Sequence, residues 1–559
     1  MKMLLKGGNV INVFTGEVEL ADVLMEDGKI VGVGIYCEAD VIEDVTGKYI
    51  CPGFIDGHIH IESTMLTPAE LTKLCMPHGT TAIVADPHEI ANVCGVDGIR
   101  YMMQASKGLP MHVYFAIPSC VPATPFDESG AELYAADIDE LYNDPRVVGL
   151  AEMMNYPGVL FGDEAVHAKI AGAIKHGKGV DGHAPFLSGK DLDRYVSAGI
   201  QSDHECSNLE EAKEKLRKGQ WIMIRQGTAA RNLHDLMGLF APGFSHRCLL
   251  VTDDRHPADL MAEGHIDNII RLAVTEGASP ITAIQMATIQ AAQCFNLRYV
   301  GAVAPGYRAD VLVLDDLDTV QVRDVYSNGV KVVCEGRMSQ IETPVVDAAL
   351  NEKVLHSFHT GAFTTESFRL EETSGKCRCI QVIPGQLVTD EVHLDIDWTV
   401  KNGVNVDKDI LKLAVIERHK NTGHIGLGFI RGIGLKRGAI ASSVSHDSHN
   451  IIVIGTDEAD MALAANHICD VGGNVVVADG EIIAQMPLPI AGLMSEKSGE
   501  DVAAANQQVR DAVHTLGVNE GIEPFMNMAF VSLTVIPSLK MSTQGLVDVN
   551  RMQRVDLYV

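Results

Sequence analysis

Two textures of apolar and polar positions divide the chain. Residues 1–48 alternate apolar with polar residues and break at glycine turns, as in MLLKGGNVINV and ADVLMEDGKIVGVG, which predicts strands and hairpins. The same texture returns at 301–345 in ADVLVLDD and DVYSNGVKVVCEG. Two β-rich pieces on either side of a long middle predict one small β-sandwich domain formed from both flanks.

The middle, 49–300, reads differently. Short continuous apolar runs recur: YICPGFIDGHIH, GTTAIVADPHE, MHVYFAIPSC, RVVGLAEMMN, KGVDGHAPF, IQSDHE, WIMIRQG and RCLLVTDD. Amphipathic stretches such as PAELTKLCMPH, DEAVHAKIAGAIKHG and NLEEAKEKLRKG separate them. Continuous apolar runs suit parallel strands buried on both faces. Eight strand-then-helix units over this length predict an α/β fold of the (β/α)8 TIM-like barrel kind. An open doubly wound sheet is the other architecture for such a pattern. Its GxGxxG turn after the first strand is missing, and the glycine-rich GHIGLGFIRGIGLKRG fails the spacing. Residues 346–377 are polar and mixed, as expected of a linker region. Apolar strands and helices resume over 378–559 and predict a C-terminal α/β domain.

Composition narrows the partners. The 559 residues carry a formal net charge of −30. Nucleic acid and anionic membrane both require basic surface, so neither is expected as a partner. The 12 cysteines are scattered without a CxxC pair and read as reduced thiols. The N-terminal MKMLLKGG has no apolar signal core, and no apolar run is long enough to span a bilayer, so a cytoplasmic protein is expected.

The chemistry lies in what ends each run. In a barrel, catalytic side chains sit at the C-terminal ends of the strands. Here the first run ends in His58 and His60, which strand alternation puts on one face. The fourth ends in Glu152, the fifth in His183, the sixth in His204 and the eighth in Asp253. Mixed imidazole and carboxylate ligands suit zinc, iron or manganese rather than calcium or magnesium. Six ligands exceed what one catalytic metal needs while keeping an open position, so two metals bridged by Glu152 are expected. A serine nucleophile is unsupported because no GxSxG elbow is present. Cys206, which follows SDHE, reads as a small packing residue.

PGFIDGHIH, the histidines of the fifth and sixth runs and the aspartate of the eighth together resemble the amidohydrolase superfamily. HIESTM (60–65), ADPHEIANVCG (85–95), SDHE (202–205), TDDRHP (252–257) and ASSVSHDSHNI (441–451) resemble the bacterial adenine deaminases within it. Many amidohydrolases bridge two metals with a carboxylated lysine after the fourth strand. GLAEMMN has Glu152 there instead, which suits the adenine deaminase pattern.

The resemblance implies that His58, His60, Glu152 and Asp253 hold one metal and Glu152, His183 and His204 the other. It implies manganese or iron(II), with zinc still open. Adenine is the implied substrate, hydrolysed to hypoxanthine and ammonia, and family habit implies a homo-oligomer, taken as a dimer. Asp253 is the candidate to accept a proton from water. Glu205 and Glu89 are the candidates to protonate ring N1, with Glu62 as a third choice. Asp254 is expected at N7 of the purine. His88 and Arg231 are further candidate pocket residues. SHDSHN reads either as a closing element or neighbouring subunit's site, or as a tight polar turn. A cyclic amide or imide hydrolase of the same superfamily is the nearest alternative. A non-catalytic barrel-fold binding protein is the alternative of another class.

Overall fold

The computed structural model describes residues 1–228, 230–373 and 375–559. Ala229, in the loop after the seventh run, and Ser374, in the expected linker, lie outside the described residues. Contacts group the chain into two compact units. Unit 1 comprises residues 1–87, 102–119 and 134–345; unit 2 comprises 88–101, 120–133 and 346–559. The sequence reading kept 49–300 in one piece, whereas the contacts group 88–101 and 120–133 with the C-terminal residues.

Within unit 1, strands between Lys2 and Pro52 join strands between Val311 and Met338 in one nine-stranded sheet. The join is the antiparallel pairing of Tyr49–Pro52 with Val311–Leu314. Met3, Leu5, Val10, Val23, Ile50, Val311 and Val313 face one another in its core, the apolar half of the alternation.

Each of the eight apolar runs holds a strand. They are β1 (Phe54–Ile59), β2 (Thr80–Ala85), β3 (His112–Ile117), β4 (Val147–Met153), β5 (Gly179–Gly182), β6 (Ser202–Asp203), β7 (Trp221–Arg225) and β8 (Cys248–Val251). β1 to β5 form one parallel sheet in chain order and β6 to β8 another. The Gln201 N–H donates to the Val180 carbonyl at 2.9 Å, beside β5 and β6. A parallel bridge between Ile59 and Asp253 brings the end of β8 to β1, so the parallel strands form a curled sheet. β1, β2, β4 and β8 are buried along their whole length, which is why their sequences do not alternate. Gly182 is required where β5 meets β6, because a Cβ there would stand 2.2 Å from the Ser202 carbonyl oxygen.

Unit 2 is built on an eight-stranded sheet from Lys376–Val382 to Glu481–Met486, antiparallel except where Cys379–Gln381 runs alongside Phe429–Arg431. The helix Glu458–Val471 packs on it through Met461, Ala464, Ala465 and Ile468. Residues 346–377 carry a helix, Ala348–Leu355, and bury Val354 and Phe368. No helix among the described residues is long and apolar enough to cross a membrane.

Candidate metal centre

The ends of β1, β4, β5, β6 and β8 bring the six sequence-predicted ligands together inside unit 1. Backbone pairing sets the first part of the arrangement. The Asp253 N–H donates to the His58 carbonyl at 2.9 Å, and the His60 N–H donates to the Asp253 carbonyl at 3.3 Å. Asp253 adopts a left-handed φ of 61°, a conformation that aspartate tolerates better than most residues and that is often found at functional sites. His60 Nε2 then stands 3.1 Å from Asp253 Oδ1 and 3.3 Å from Glu152 Oε1. His183 Nδ1 and His204 Nε2 face the other oxygen, Glu152 Oε2, at 2.6 and 3.2 Å. The His58 ring stacks on His204 with centroids 4.4 Å apart. The side chains of His58, His60, Glu152, His204 and Asp253 are all at least 93% buried.

This donor set fits a divalent transition ion. His58 Nε2 is buried and makes no hydrogen bond among the described residues, although Asp253 Oδ1 is only 3.7 Å away. A buried nitrogen without a hydrogen-bond partner is costly unless something else occupies its lone pair. In unit 1, His58, His60 and Asp253, then His58, Glu152 and His204, and then His183, His204 and Glu205 each bring potential ligand atoms within 4.8 Å of one another; in unit 2, Glu89, His446 and His449 do so too.

Electrostatics point the same way. Burial opposes charge on Glu152, yet hydrogen bonds from His183, His204 and His60 hold its carboxyl well below the usual range. Burial likewise opposes charge on His183, but Glu205 and Glu152 lift the imidazole to about 9. Burial pulls His58 down, with His204 and His60 adding to the effect, so this imidazole is neutral. In this structure the imidazoles of His183, His204 and His60 supply the positive charge that keeps Glu152 ionised, a place a cation can take.

The other candidates fall in three places. Glu205 joins the centre: its Oε1 is 3.4 Å from His204 Nε2. Asp254 and Glu62 lie in the same unit, with Ser63 Oγ donating to Asp254 Oδ1 at 2.5 Å and Glu62 buried in a one-turn helix. Arg231 is not brought to the centre; its side chain is 44% exposed, and its guanidinium lies 3.4 Å from Glu263. His88 and Glu89 belong to unit 2. There Glu89 faces His446 Nδ1 at 3.5 Å and His449 Nε2 at 3.9 Å, while His88 Nε2 is 3.8 Å from Asp447.

The reading from sequence missed two unit 1 residues. Arg225, the last residue of β7, bridges Glu205 and Asp253, lying 2.6 Å from Asp253 Oδ2. Burial alone would raise the Asp253 carboxyl; Arg225 and then His60 hold it well below the usual range instead. Asp86 is buried, its carbonyl accepts from His60 Nδ1 at 3.1 Å, and its carboxylate lies within 4.8 Å of the ligand atoms of His60 and Glu152. Both end their apolar runs in polar residues, the same signal that marked the six.

SHDSHN forms a polar turn tied within unit 2. Asn450 Nδ2 donates to the Glu128 carbonyl at 2.7 Å, Ser445 and Ser532 share a hydrogen bond of 2.6 Å, and the Arg418 guanidinium donates to the His449 carbonyl. His449 Nδ1 accepts the Ser445 N–H at 3.2 Å. Its Nε2 therefore carries the proton and has no lone pair for a metal.

Residues 49–338 match the amidohydrolase family, and residues 386–553 match the adenine deaminase C-terminal domain. The chain is 46% identical over 560 aligned positions to an adenine deaminase of Desulfatibacillum aliphaticivorans, covering 100% of this chain and 97% of that protein. It is 46% identical over 552 positions to adenine deaminase 2 of Carboxydothermus hydrogenoformans, covering 98% and 95%. Among solved structures, a β-aspartyl dipeptidase of Fervidobacterium islandicum matches with a TM-score of 0.48 at 18% identity, covering 61% of this chain and 100% of that one. By the family match over more than half of its length and by its likeness to these relatives from end to end, the chain belongs to the amidohydrolase family and, within it, to the adenine deaminases.

Proposed function

We propose that this protein deaminates adenine hydrolytically, giving hypoxanthine and ammonia. The observation that carries the reading is identity of 46% to adenine deaminases along the entire chain, C-terminal region included. In this reading the eight parallel strands of unit 1 close as a (β/α)8 barrel, and the flanking sheet is its small β-sandwich domain. His58, His60, Glu152 and Asp253 hold one divalent metal; Glu152, His183 and His204 hold a second. Manganese and iron(II) are the preferred ions. A divalent cation there brings the acidity of a water molecule close to neutral pH and offers a Lewis acid.

The remaining work falls to side chains. Asp253 is held as a carboxylate by Arg225 and His60, so it is free to take a proton from the attacking water. That water adds to C6 of adenine. Glu205 is also held as a carboxylate, against burial, by Arg225, His183 and His204. It must therefore gain a proton before it delivers one to N1, and once protonated it is a strong donor. Asp254, oriented by Ser63, holds the N7 edge. Asp253 passes the proton it took from water to the exocyclic nitrogen; the C6–N bond breaks to release ammonia, and the C6 hydroxyl returns its proton to Glu205 as the carbonyl of hypoxanthine forms. Glu89 remains a candidate for the proton on N1, and His88 a candidate pocket residue.

The test is the loss of adenine ultraviolet absorbance with manganese- or iron-loaded protein. Turnover of adenine with ammonia release is expected. Turnover of a hydantoin or dihydropyrimidine, with adenine untouched, would replace this reading with a cyclic imide hydrolase.

A further inference from the structure

A lysine far from the reacting atoms grips the backbone of two metal-ligand loops at once. Lys215 lies on the helix Leu209–Arg217, which follows β6, and its side chain is fully buried. Three acceptors surround its ammonium: the Ala184 carbonyl at 2.7 Å, Glu211 Oε1 at 2.8 Å and Asp203 Oδ2 at 3.1 Å. Ala184 immediately follows His183, and Asp203 immediately precedes His204.

Asp203 completes the grip. Its Oδ2 accepts the Ala184 N–H at 2.9 Å, and its Oδ1 accepts the Glu205 N–H at 2.8 Å. Both backbone polar groups of Ala184 therefore end on one buried ion pair, its carbonyl on Lys215 and its N–H on Asp203. Glu211, bonded to the same ammonium, also accepts the Phe186 N–H at 2.8 Å. The loop after His183 and the residues on either side of His204 are thus bound to each other through a single charged knot. His58 and Asp253 have a separate tie: Asp56 Oδ1 accepts the His58 N–H and the Thr252 N–H at 3.2 Å each, and Asp56 Oδ2 faces His265 Nε2 at 3.1 Å.

We propose that Lys215, acting through Asp203, is a positioning residue for the metal held by Glu152, His183 and His204, and not for the one held by His58, His60, Glu152 and Asp253. The inference rests on the two-metal reading above. Partners that orient metal ligands typically contribute 10–100-fold to affinity, and the knot acts on only one of the two ligand pairs. Lys215→Met leaves Asp203 charged and unpaired in the interior, so this variant folds less stably. Lys215→Met combined with Asp203→Asn removes that charge and recovers stability, while the Lys215 bond to the Ala184 carbonyl stays lost.

The experiment titrates chelator-treated protein with manganese(II), following free ion by electron paramagnetic resonance, and records a thermal melt of each variant by circular dichroism. The wild type is expected to bind two ions. In both variants one binding step should weaken by about 10–100-fold and the other stay within about twofold. A paired variant that regains both its melting temperature and its wild-type affinity would show that the knot serves stability alone. Equal weakening of both steps would likewise overturn the assignment. Should Lys215→Met fail to fold, the paired variant carries the same comparison. A wild type that binds no transition ion would bring down the metal reading itself, and with it the inference. Two unaltered steps in the variants would bring down the inference alone.

Discussion

Each unit holds a buried knot of histidines and carboxylates, and the two differ in what the backbone does to the imidazoles. In unit 1 His60, His183 and His204 turn ring nitrogens toward Glu152 at 2.6–3.3 Å. In unit 2 His446 and His449 face Glu89 at 3.5 and 3.9 Å, and His449 has its Nδ1 engaged by the Ser445 N–H. One hydrogen bond fixes the tautomer, and the tautomer decides whether a nitrogen can bind a metal. Residue types and spacing within a few ångströms are similar in the two places. The partner on Nδ1 separates His60, which faces the Asp86 carbonyl, from His449, which accepts the Ser445 N–H.

The strongest way to break this comparison is at the unit 1 knot. Asp253→Ala or His183→Ala is expected to lower deaminase turnover by about a thousandfold or more while the circular dichroism melt still shows a folded chain. Full turnover in either variant would dismantle the ligand assignment. A sharper test concerns metal content. His58→Ala should lower the metal bound per chain in elemental analysis, whereas His446→Ala and His449→Ala should leave it unchanged. Loss of an equivalent from either unit 2 variant would mean that His449 does not keep its Nε2 proton.

The smallest effect concerns the buried lysines, which repeat the contrast. Lys215 in unit 1 has Asp203 and Glu211 beside it; Lys540 in unit 2 is fully buried and donates to the Leu387 and Phe530 carbonyls at 3.0 Å each. Burial brings the Lys540 ammonium down to about 7. Between pH 7 and 10 the unfolded chain therefore holds a proton there that the folded chain has lost, so this lysine favours folding more as pH rises. Lys540→Met lacks that dependence. Its stability relative to wild type, from denaturant midpoints, should fall by roughly 2–5 kcal/mol between pH 7 and pH 10. A gap between the two proteins that ignores pH would rule out an isolated ammonium at this position.

Much of unit 1 is legible in the sequence because parallel strands buried on both faces leave uninterrupted apolar runs. Each of the eight runs holds a strand, down to the two-residue Ser202–Asp203, where IQSDHE is already mostly polar. The polar residues that end these runs include His58, His60, Glu152, His183, His204 and Asp253, which the chain draws together from positions far apart. Arg225 escaped notice because an arginine at the end of WIMIR reads as a solvated strand end; only its distance to Asp253 gives it a role. The company kept by PHEIANVCG was not legible either. Periodicity says that a helix has an apolar face, but not which part of the chain covers it.

The order in which the polypeptide is made gives the division into units a further meaning. The chain passes between the two groups of residues at 87/88, 101/102, 119/120, 133/134 and 345/346. When residue 345 has been synthesised, 88–101 and 120–133 still lack the 346–559 segment with which they are grouped. Domains generally fold as units from the N-terminus during synthesis, and here that progression is held open until the last third emerges. A chain cut after 345 would not be a free-standing unit; it would carry two stretches separated from the residues they are grouped with.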